Sequence, residues 1–416
     1  MSKKVEFGIG FLAGRPNVCK IINNYYKNII EQGKKSGYNV NFTFFILFDL
    51  NYQFTPRSEF YNIIPAVYKN MNVKYITPED IEEEKKILIS RHKLKKEDVN
   101  LILGNGYARA RNSIMYFALK RKIDYLLFWD DDEYPVANIK DGENMEWKPQ
   151  DNVLTHLQNI ENAVVTMGHR CGYMSPIPPI NLEEKITEED FRRYINAVSN
   201  EAVSWEKLKK RLKENKHGIT FAKRKVLDKQ EVSKIEDLGV KNWLLASGIC
   251  INLNKISEIP PFYNPIGARG EDTFFSTWLS GETCLSVPTY HFHDGFLKYT
   301  GIPKRKYPSK FDDINLEDSN VGERFFNASI GWVKYKPLLI YITDRDNYRR
   351  VIENTQKELE LSMSKMNMVF DKCDFSVLID ELNEFDKRVE NDYQEYIKTY
   401  EVWKKFKEKE VWKIKN

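Results

Sequence analysis

The sequence predicts an α/β protein with a mixed, mostly parallel sheet flanked by helices. Short apolar segments alternate with segments of helical periodicity in the first 300 residues, an order typical of a layered α/β fold. The run Tyr125–Trp129 is apolar throughout, as expected of a strand that is buried on both faces. Loops that contain glycine or proline separate the segments.

The predicted elements follow from these patterns. Strands are expected at the apolar runs, and helices where apolar residues recur every three or four positions. The predicted strands are Val5–Phe11, Asn41–Phe48, Val73–Ile76, Tyr125–Trp129, Ala163–Met167, Trp243–Ile251, Leu285–His293 and Pro337–Ile342. The predicted helices begin near Asn17, Pro78, Gly106 and Glu271, and Asn17 is expected to cap the first of them.

Two regions depart from this alternation. Residues 181–240 are highly charged and mostly helical in pattern, which predicts an insertion packed on or over the sheet. Because charge runs are usually solvated faces, a solvated helical excursion is the simpler interpretation, and a lid or acceptor-binding wall is the alternative. Residues 301–416 predict a C-terminal extension that is mostly helical and carries many aromatic residues near its end.

Composition limits the function classes. The net charge is +4, from 64 basic and 60 acidic residues, which gives no strong case for nucleic-acid binding. The five cysteines form no C-x-x-C pair, which favours a reducing compartment and argues against a zinc knuckle. No apolar run approaches the roughly 20 residues that span a bilayer. We see no signal peptide, so the expected location is the cytoplasm.

Four consecutive acids, Asp130 to Glu133, follow the run Tyr125–Trp129. Clustered carboxylates repel one another and resist burial, and a divalent cation such as Mg²⁺ or Mn²⁺ resolves that conflict. Ligands bind beyond the carboxyl ends of strands in open parallel sheets. Residues two apart on a strand point to one side, so Asp130 and Asp132 are expected to face one cavity and Asp131 another. The simpler interpretation is a solvated turn.

Three further groups are candidates for chemistry. Arg111 lies near the start of the helix before the acids, where an anion is favoured, although an ordinary exposed helix start is the alternative. Glu271 and Asp272 begin a later helix, as capping residues or as a general base. His291 and His293 lie two apart on the last core strand, as structural residues or as ligands that complete a metal shell.

The order of these signals resembles a known family. The string GYARARNSIMYFALKRKIDYLLFWDDDE is similar to glycosyltransferases of the GT-A fold, especially the large family-2-like group. In that group a G-x-x-x-A-R-N helix start precedes a strand that ends in D-x-D-D, and here Glu133 replaces the final Asp. The later segment Arg269–Asp272 resembles the family's x-E-D motif. The resemblance covers roughly residues 5 to 300 and leaves 181–240 unmatched.

The resemblance implies a GT-A catalytic domain at 1–300 and an enzyme that moves a sugar from a UDP- or GDP-sugar to an acceptor hydroxyl, with inversion. It implies Mn²⁺ or Mg²⁺ as the cofactor. The acceptor is a glycan, a lipid-linked sugar, a protein or a modified nucleic acid. The implied metal ligands are Asp130, Asp132, His293 and His291, and the implied catalytic residues are Asp272, as base, and Glu271. The implied donor-binding residues are Asp49, Arg15, Arg111, Asp130, Asp131, Lys304 and Arg305.

Two other function classes stay open. A sugar-nucleotide nucleotidyltransferase shares the fold but carries a G-x-G-T-R-type loop, which Leu12–Arg15 resembles only weakly. A non-catalytic nucleotide-binding protein of the same fold would keep the binding residues without turnover. The aromatic C-terminal helices suit packing on the core, a homo-oligomer or a contact with the inner face of a membrane.

Overall fold

The computed structural model describes residues 2–142, 144–173, 176–178, 186–199, 204–214, 219–239, 241–311 and 319–413. Its strands are β1 (Lys4–Ala13), β2 (Asn39–Phe48), β3 (Asn72–Ile76), β4 (Tyr125–Phe128), β5 (Glu133–Tyr134), β6 (Val136–Asp141), β7 (Asn144–Pro149), β8 (Val165–Gly172), β9 (Ser233–Lys234), β10 (Ile249–Asn252) and β11 (Cys284–His293). Its α-helices are α1 (Asn17–Lys35), α2 (Pro65–Asn70), α3 (Pro78–Ser90), α4 (Lys96–Ile102), α5 (Tyr107–Lys120), α6 (Asn152–Asn159), α7 (Glu188–Ala197), α8 (Trp205–Glu214), α9 (Arg224–Lys229), α10 (Glu271–Trp278), α11 (Ser319–Thr343), α12 (Tyr348–Val369), α13 (Val377–Lys387) and α14 (Val389–Glu408).

The main sheet has nine strands and is mixed. Its order is β3-β2-β1-β4-β10-β8-β11-β5, with β9 paired to β11 at the side. Strands β1, β2, β3 and β4 are parallel neighbours, and β8 and β11 run in the same direction. Strand β10 runs the opposite way between β4 and β8, and β5 and β9 are antiparallel to β11. Six of the nine strands therefore share one direction, and the predicted α/β class is confirmed.

Helices cover both faces of the sheet because β4 is apolar on both. Leu126, Leu127 and Phe128 have no exposed surface. Leu127 packs with α1 and α6 on one face, while Leu126 and Phe128 pack with α3, α4 and α5 on the other. Burial of each large apolar side chain contributes roughly 1.5–3 kcal/mol relative to exposure. This two-sided burial fixes the end of β4, where the acids begin.

The predicted strand at Pro337–Ile342 is wrong, because these residues lie within helix α11. A short apolar run has the same composition in a buried strand and in a buried helix, so periodicity alone does not separate them. In α11, Leu338 and Leu339 pack into a cluster with α7, α12 and α13. Helix α11 continues through Pro337, the first residue of the run, although a proline inside a helix lacks the N–H for a backbone hydrogen bond.

Two other segments differ from the expected elements. The predicted strand Trp243–Ile251 is shorter, since only β10 pairs with neighbours and the residues before Ile249 form a connecting segment. The hairpin of β6 and β7 follows the acids and was not predicted. Its second strand alternates exposed polar residues with the half-buried Met145 and Trp147, a strand signal that the sequence prediction missed.

The described part of the 181–240 region packs on the C-terminal helices. Phe191, Tyr194 and Ile195 of α7 are fully buried in the cluster that holds α11, α12 and α13. Lys336 of α11 is buried there, donates a hydrogen bond to the Ala197 carbonyl at 2.6 Å, and has its pKa lowered to about 8 by burial. The region is therefore not simply solvated, although α8 and α9 keep many charged residues at the surface.

Helix α14 returns to the sheet and packs on the α5 side. Trp403 is fully buried, and its indole N–H donates to the Ile259 carbonyl at 2.9 Å. Phe406 lies in the same apolar cluster, and the Lys407 ammonium donates to the Ser257 carbonyl at 2.8 Å. The aromatic face of this helix is thus covered within the chain, and a homo-oligomer through the C-terminal helices stays a prediction.

Candidate functional site

The three aspartates after β4 lie in a turn between β4 and β5. The backbone N–H of Asp130 donates to the Ser247 hydroxyl at 2.9 Å, and the Trp129 indole donates to the Glu133 carbonyl at 3.0 Å. These bonds fix the turn from both sides. Because the strand has already ended at Phe128, the alternation of side chains expected for a strand does not apply to the acids.

Arg15, in the loop after β1, binds two of the aspartates. Its Nε donates to Asp131 Oδ1 at 2.9 Å, its backbone N–H donates to Asp131 Oδ2 at 3.2 Å, and its Nη2 lies 2.9 Å from Asp132 Oδ2. The two carboxylates therefore face the same cation. Burial raises the pKa of Asp131 to about 7, against the opposing effect of Arg15.

Asn17 connects α1 to this turn and does not cap the helix. Its Nδ2 donates to the Asp131 carbonyl at 2.5 Å and to the Tyr134 hydroxyl at 3.3 Å, while the N-cap residue is Pro16. The expected capping role is wrong because the side chain is directed to the acid turn. The sequence indicated a cap from the residue type alone, because it does not show which strand lies next to Asn17.

Glu133 anchors the turn in the core. Its side chain is fully buried and accepts a hydrogen bond from the Ser247 hydroxyl at 2.6 Å. Arg170 Nε lies 2.7 Å from Glu133 Oε1, and His291 Nδ1 lies 3.2 Å from Oε2. The His291 ring also stacks on Trp129, with ring centres 5.2 Å apart. The structure therefore places His291 in the core beside Glu133 and not with the other predicted metal ligands.

His293, at the end of β11, faces Asp132. Its Nε2 lies 3.6 Å from Asp132 Oδ2, and its Nδ1 lies 2.7 Å from the Tyr173 carbonyl oxygen. A carbonyl only accepts hydrogen bonds, so Nδ1 carries the proton and donates it. In the neutral ring, Nε2 then presents its lone pair toward the carboxylate. A hydrogen bond of this kind behind a histidine orients it as a metal ligand.

Opposing effects set the charges of this pair. Burial alone would raise the pKa of Asp132, but His293 and Arg15 together hold it well below its usual range. Burial alone would lower the pKa of His293, but Asp132 raises it above the ordinary value. Arg15 already supplies one positive charge to Asp132, and a proton on His293 or a bound cation would supply a second between the two side chains.

Asp132 and His293 supply part of the ligand set that a shared cation needs. Bonds of about 2.1 Å are usual from Mg²⁺ to oxygen or from similar ions to histidine nitrogen, so one ion reaches two atoms 3.6 Å apart. Within the described ranges, no group of three His, Cys, Asp or Glu side chains is placed to hold an ion. With one carboxylate and one imidazole as protein ligands, an ion here would have its other positions open to waters and substrate phosphates, and the imidazole departs from the all-oxygen set that Mg²⁺ prefers.

Asp130 lies with arginines. Arg111 Nη2 is 3.5 Å from Asp130 Oδ1, and Arg170 Nη2 is 3.9 Å from Oδ2. Arg111 is buried, and its Nε lies 3.4 Å from Glu271 Oε1. The predicted helix-start arginine thus connects the acid turn to the start of α10. Burial and the neighbouring Asp272 raise the pKa of Glu271, against the opposing effect of Arg111.

Asp272 follows Glu271 in the first turn of α10 and lines the cavity beside Asp132 and His293. Its Oδ1 accepts a hydrogen bond from the backbone N–H of Thr273 at 2.9 Å. Gly270 precedes the helix with φ of +95°, a conformation that glycine adopts without strain. The carboxylate is therefore held at a fixed point by the helix start.

Substitution of Gly270 by alanine is expected to destabilise the fold by about 1–3 kcal/mol, because it adds backbone strain and a collision. A Cβ there would lie 3.0 Å from the Tyr335 ring of α11. Gly37→Ala is the matched control, since φ is +79° and no atom lies within 4 Å of its Cβ. Urea denaturation of both variants separates the two effects. Equal losses would show that the contact with Tyr335 contributes nothing.

A cavity of about 890 Å³ opens at these residues, and we call it the main cavity. It lies within the range of about 300–1,000 Å³ that small-molecule sites occupy. The predicted site residues that line it are Arg15, Asp132, Glu271, Asp272 and His293. The lining residues that sequence reasoning missed include Tyr52, Arg170, Trp243 and Arg324.

The remaining predicted residues lie outside this lining. Asp49 follows β2, where its N–H donates to the Ala13 carbonyl at 2.9 Å, and burial raises the pKa of its carboxyl. Lys304 and Arg305 are exposed, at a 3-10 helix that packs on α1. The basic composition of their loop predicted phosphate contacts, but Lys304 and Arg305 do not line the main cavity.

Arg324 of α11 supplies a cation that the sequence pattern did not reveal. Its guanidinium lies over the Phe296 ring at 4.4 Å, and any side chain at Gly295 would collide with it. Its Nη1 is buried and has no hydrogen-bond partner among the described residues. Burial lowers the pKa of this group, although Asp132 opposes that effect. The sequence signal for this contact was Gly295, which directly follows His293 and Asp294 and leaves room for another side chain to approach the backbone.

The comparisons with known proteins assign neither a family nor a function. The chain matches no protein-family model, and it matches no curated protein. Among the described helices, none combines the length and the apolar character that crossing a membrane requires.

Proposed function

We propose that the protein is a metal-dependent glycosyltransferase of the GT-A type, which transfers a sugar from a nucleoside diphosphate to an acceptor hydroxyl. The observation that carries the proposal is the pairing of Asp132 with His293 in one cavity with Asp272. An oriented cation-binding pair and a fixed carboxylate are the two groups that this reaction needs. The mixed sheet, with acids beyond the carboxyl end of β4, supports the proposed fold.

Donor binding follows from the charges. Asp132 and His293 would hold Mg²⁺ or Mn²⁺, which as a Lewis acid neutralises charge on the departing diphosphate. Arg15, Arg170 and Arg324 line the same cavity and attract its phosphates. Tyr52 adds an aromatic face at this cavity, and the Arg15 guanidinium lies 5.6 Å from its ring centre. We assign the nucleoside to this side of the cavity, next to the Asp49 carbonyl, which accepts a hydrogen bond from the Tyr52 N–H at 3.4 Å.

The transfer step uses Asp272 as the base. The acceptor oxygen bonds to the anomeric carbon of the sugar, and the bond from that carbon to the diphosphate oxygen breaks. The bonding electrons leave with the nucleoside diphosphate, and the acceptor proton passes to Asp272. A carboxylate is a weak base at neutral pH, but it accepts this proton as the attack makes the hydroxyl more acidic. Attack from the face opposite the leaving group inverts the anomeric configuration.

A thermal-shift panel of nucleotides and nucleotide sugars, each with and without Mn²⁺, tests the proposal. One nucleoside diphosphate is expected to stabilise the protein by about 2.7 kcal/mol at a hundredfold excess over its dissociation constant. The shift is expected to require Mn²⁺ and to be lost in His293→Ala, because that variant removes one of the two ion ligands. His92→Ala, on a loop outside the main cavity, is the matched control.

Two outcomes of the panel would contradict the proposal. A folded protein that responds to no nucleotide would remove the donor site. Release of pyrophosphate from a nucleoside triphosphate would favour the nucleotidyltransferase alternative instead.

A further inference from the structure

A second cavity, of about 820 Å³, opens beside the main cavity, and we call it the side cavity. Its walls come from α4, the start of α5, the loop before α10, and helices α11 and α14. Residues of the C-terminal region thus complete a pocket whose other walls belong to the sheet region. None of the predicted site residues lines this cavity.

The two cavities share part of their walls. Tyr52, Tyr107, Arg269 and Asn327 line both. Arg269 lies with its guanidinium carbon 5.4 Å from the Tyr107 ring centre, and it directly precedes the segment Gly270–Asp272. The proposed base, Asp272, lines only the main cavity, but it lies three residues after Arg269, which lines both.

The lining has the chemistry of a carbohydrate site. Tyr107 is partly exposed and offers an aromatic ring, and the apolar C–H face of a pyranose packs on such a ring by dispersion. Amide side chains, which both donate and accept hydrogen bonds, are available from Asn100 and Asn327. A ligand with many hydroxyls needs both kinds of partner.

The charges of the side cavity do not select a strongly charged ligand. Arg109, Arg269 and Lys334 contribute positive charge, and Glu323 and Glu395 contribute negative charge. Lys334 is also paired with Glu381 at 3.0 Å. The main cavity is also nearly balanced, with four arginines against four carboxylates, so the Asp132–His293 pair, and not the net charge, separates the two cavities.

On the basis of the proposed function, we infer that the side cavity binds the acceptor, and that the acceptor is an uncharged oligosaccharide or the glycan end of a larger molecule. Its terminal hydroxyl passes Tyr107 and Arg269 to reach Asp272. The volume lies within the range of about 300–1,000 Å³ for drug-sized ligands, which is also the size of a short oligosaccharide. Helix α11 takes part in both sites, since Arg324 faces the donor and Asn327 lies where the cavities meet.

The test distinguishes transfer of the sugar to an acceptor from hydrolysis of the donor. Ile330 of α11 lines only the side cavity, so Ile330→Trp fills the acceptor site without a change in the main cavity. Leu361→Trp is the control, because Leu361 is 51% exposed on α12 and lines neither cavity. The probes are labelled neutral di- and trisaccharides built on glucose, galactose, mannose and N-acetylglucosamine, with serine- and threonine-containing peptides for comparison. The full chain is used with Mn²⁺ and the donor found by thermal shift.

We expect wild type to glycosylate at least one saccharide probe, and Ile330→Trp to raise the KM for that probe about tenfold or more. Hydrolysis of the donor in the absence of an acceptor is expected to stay at the wild-type rate in Ile330→Trp, and Leu361→Trp is expected to match wild type in both assays. If Ile330→Trp does not fold, Asn100→Trp fills the same cavity from α4.

Several results would overturn the inference. Saccharide transfer by Ile330→Trp at the wild-type KM would remove the side cavity from acceptor binding, and so would an equal loss of hydrolysis and transfer. Glycosylation of the peptides alone would reject the acceptor class. By contrast, a wild-type protein that neither hydrolyses nor transfers from any nucleotide sugar would reject the proposed function itself.

Discussion

Asp132→Ala is expected to lower the turnover of sugar transfer by a factor on the order of 10² or more. The variant removes one of the two groups placed to hold the cation, and His293 is left with the Tyr173 carbonyl alone. Arg15 is not expected to replace the metal, because it stays bound to Asp131. The measurement is the initial rate of nucleoside diphosphate release with saturating donor and Mn²⁺.

Asp132 also takes part in the fold, so stability needs its own control. The side chain is buried and pairs with Arg15, and its loss is expected to lower Tm. Asp346→Ala, at an exposed position after α11, controls for the loss of a carboxylate. Rates are compared below the Tm of each variant. Near-wild-type turnover in folded Asp132→Ala would contradict the metal-site assignment.

Asp272→Asn is expected to lower kcat by roughly 10²–10⁴, the usual contribution of a positioned general base. The amide keeps the shape of the side chain and its hydrogen bond from the Thr273 N–H, but it does not accept a proton from the acceptor. Donor affinity, measured by the Mn²⁺-dependent thermal shift, is expected to stay unchanged. A variant that loses donor binding as well would place Asp272 in the donor site.

Glu271→Gln distinguishes the two neighbouring carboxylates. Glu271 lies 3.4 Å from Arg111 and is 8% exposed, whereas Asp272 lines the cavity at the start of α10 and is partly exposed. We therefore expect Glu271→Gln to reduce kcat less than Asp272→Asn does. The anomeric configuration of the product is a second readout. A larger loss in Glu271→Gln, or a product that keeps the donor's configuration, would contradict the role of Asp272.

The sheet and part of the site could be predicted from local sequence. Tyr125–Trp129 is apolar on both faces, so the position of β4 and of the acids after it follows from composition. His293 ends a strand that is apolar before it, and Asp272 follows two glycines at a helix start. The immediate neighbours of these residues in the sequence indicate their position, and the structure brings Asp132, Asp272 and His293 to one cavity.

The residues that sequence reasoning missed are placed by tertiary contacts. Arg324 lies in a helix whose local pattern does not indicate which surface it covers, and only its contact with Phe296 and Gly295 brings it to the cavity. Lys304 and Arg305 were predicted there because basic loops attract phosphate. The place of a loop in the chain does not show in which direction its side chains point. His291 differs from His293 through its contacts with Glu133 and Trp129, which lie about 160 residues away in the chain.

Helix α11 has a consequence for how the protein is made. Both cavities include residues of this helix, from Glu323 to Tyr335, while the sheet is complete at His293. Ribosomes add about 5–20 residues per second, and N-terminal segments fold first. A nascent chain that extends to residue 300 therefore has the acids after β4 and Asp272 before it has the α11 wall of either cavity. The two cavities form only once α11 has been made, and a chain released before that point would carry the proposed metal-binding and base residues without the surfaces that we propose select the substrate.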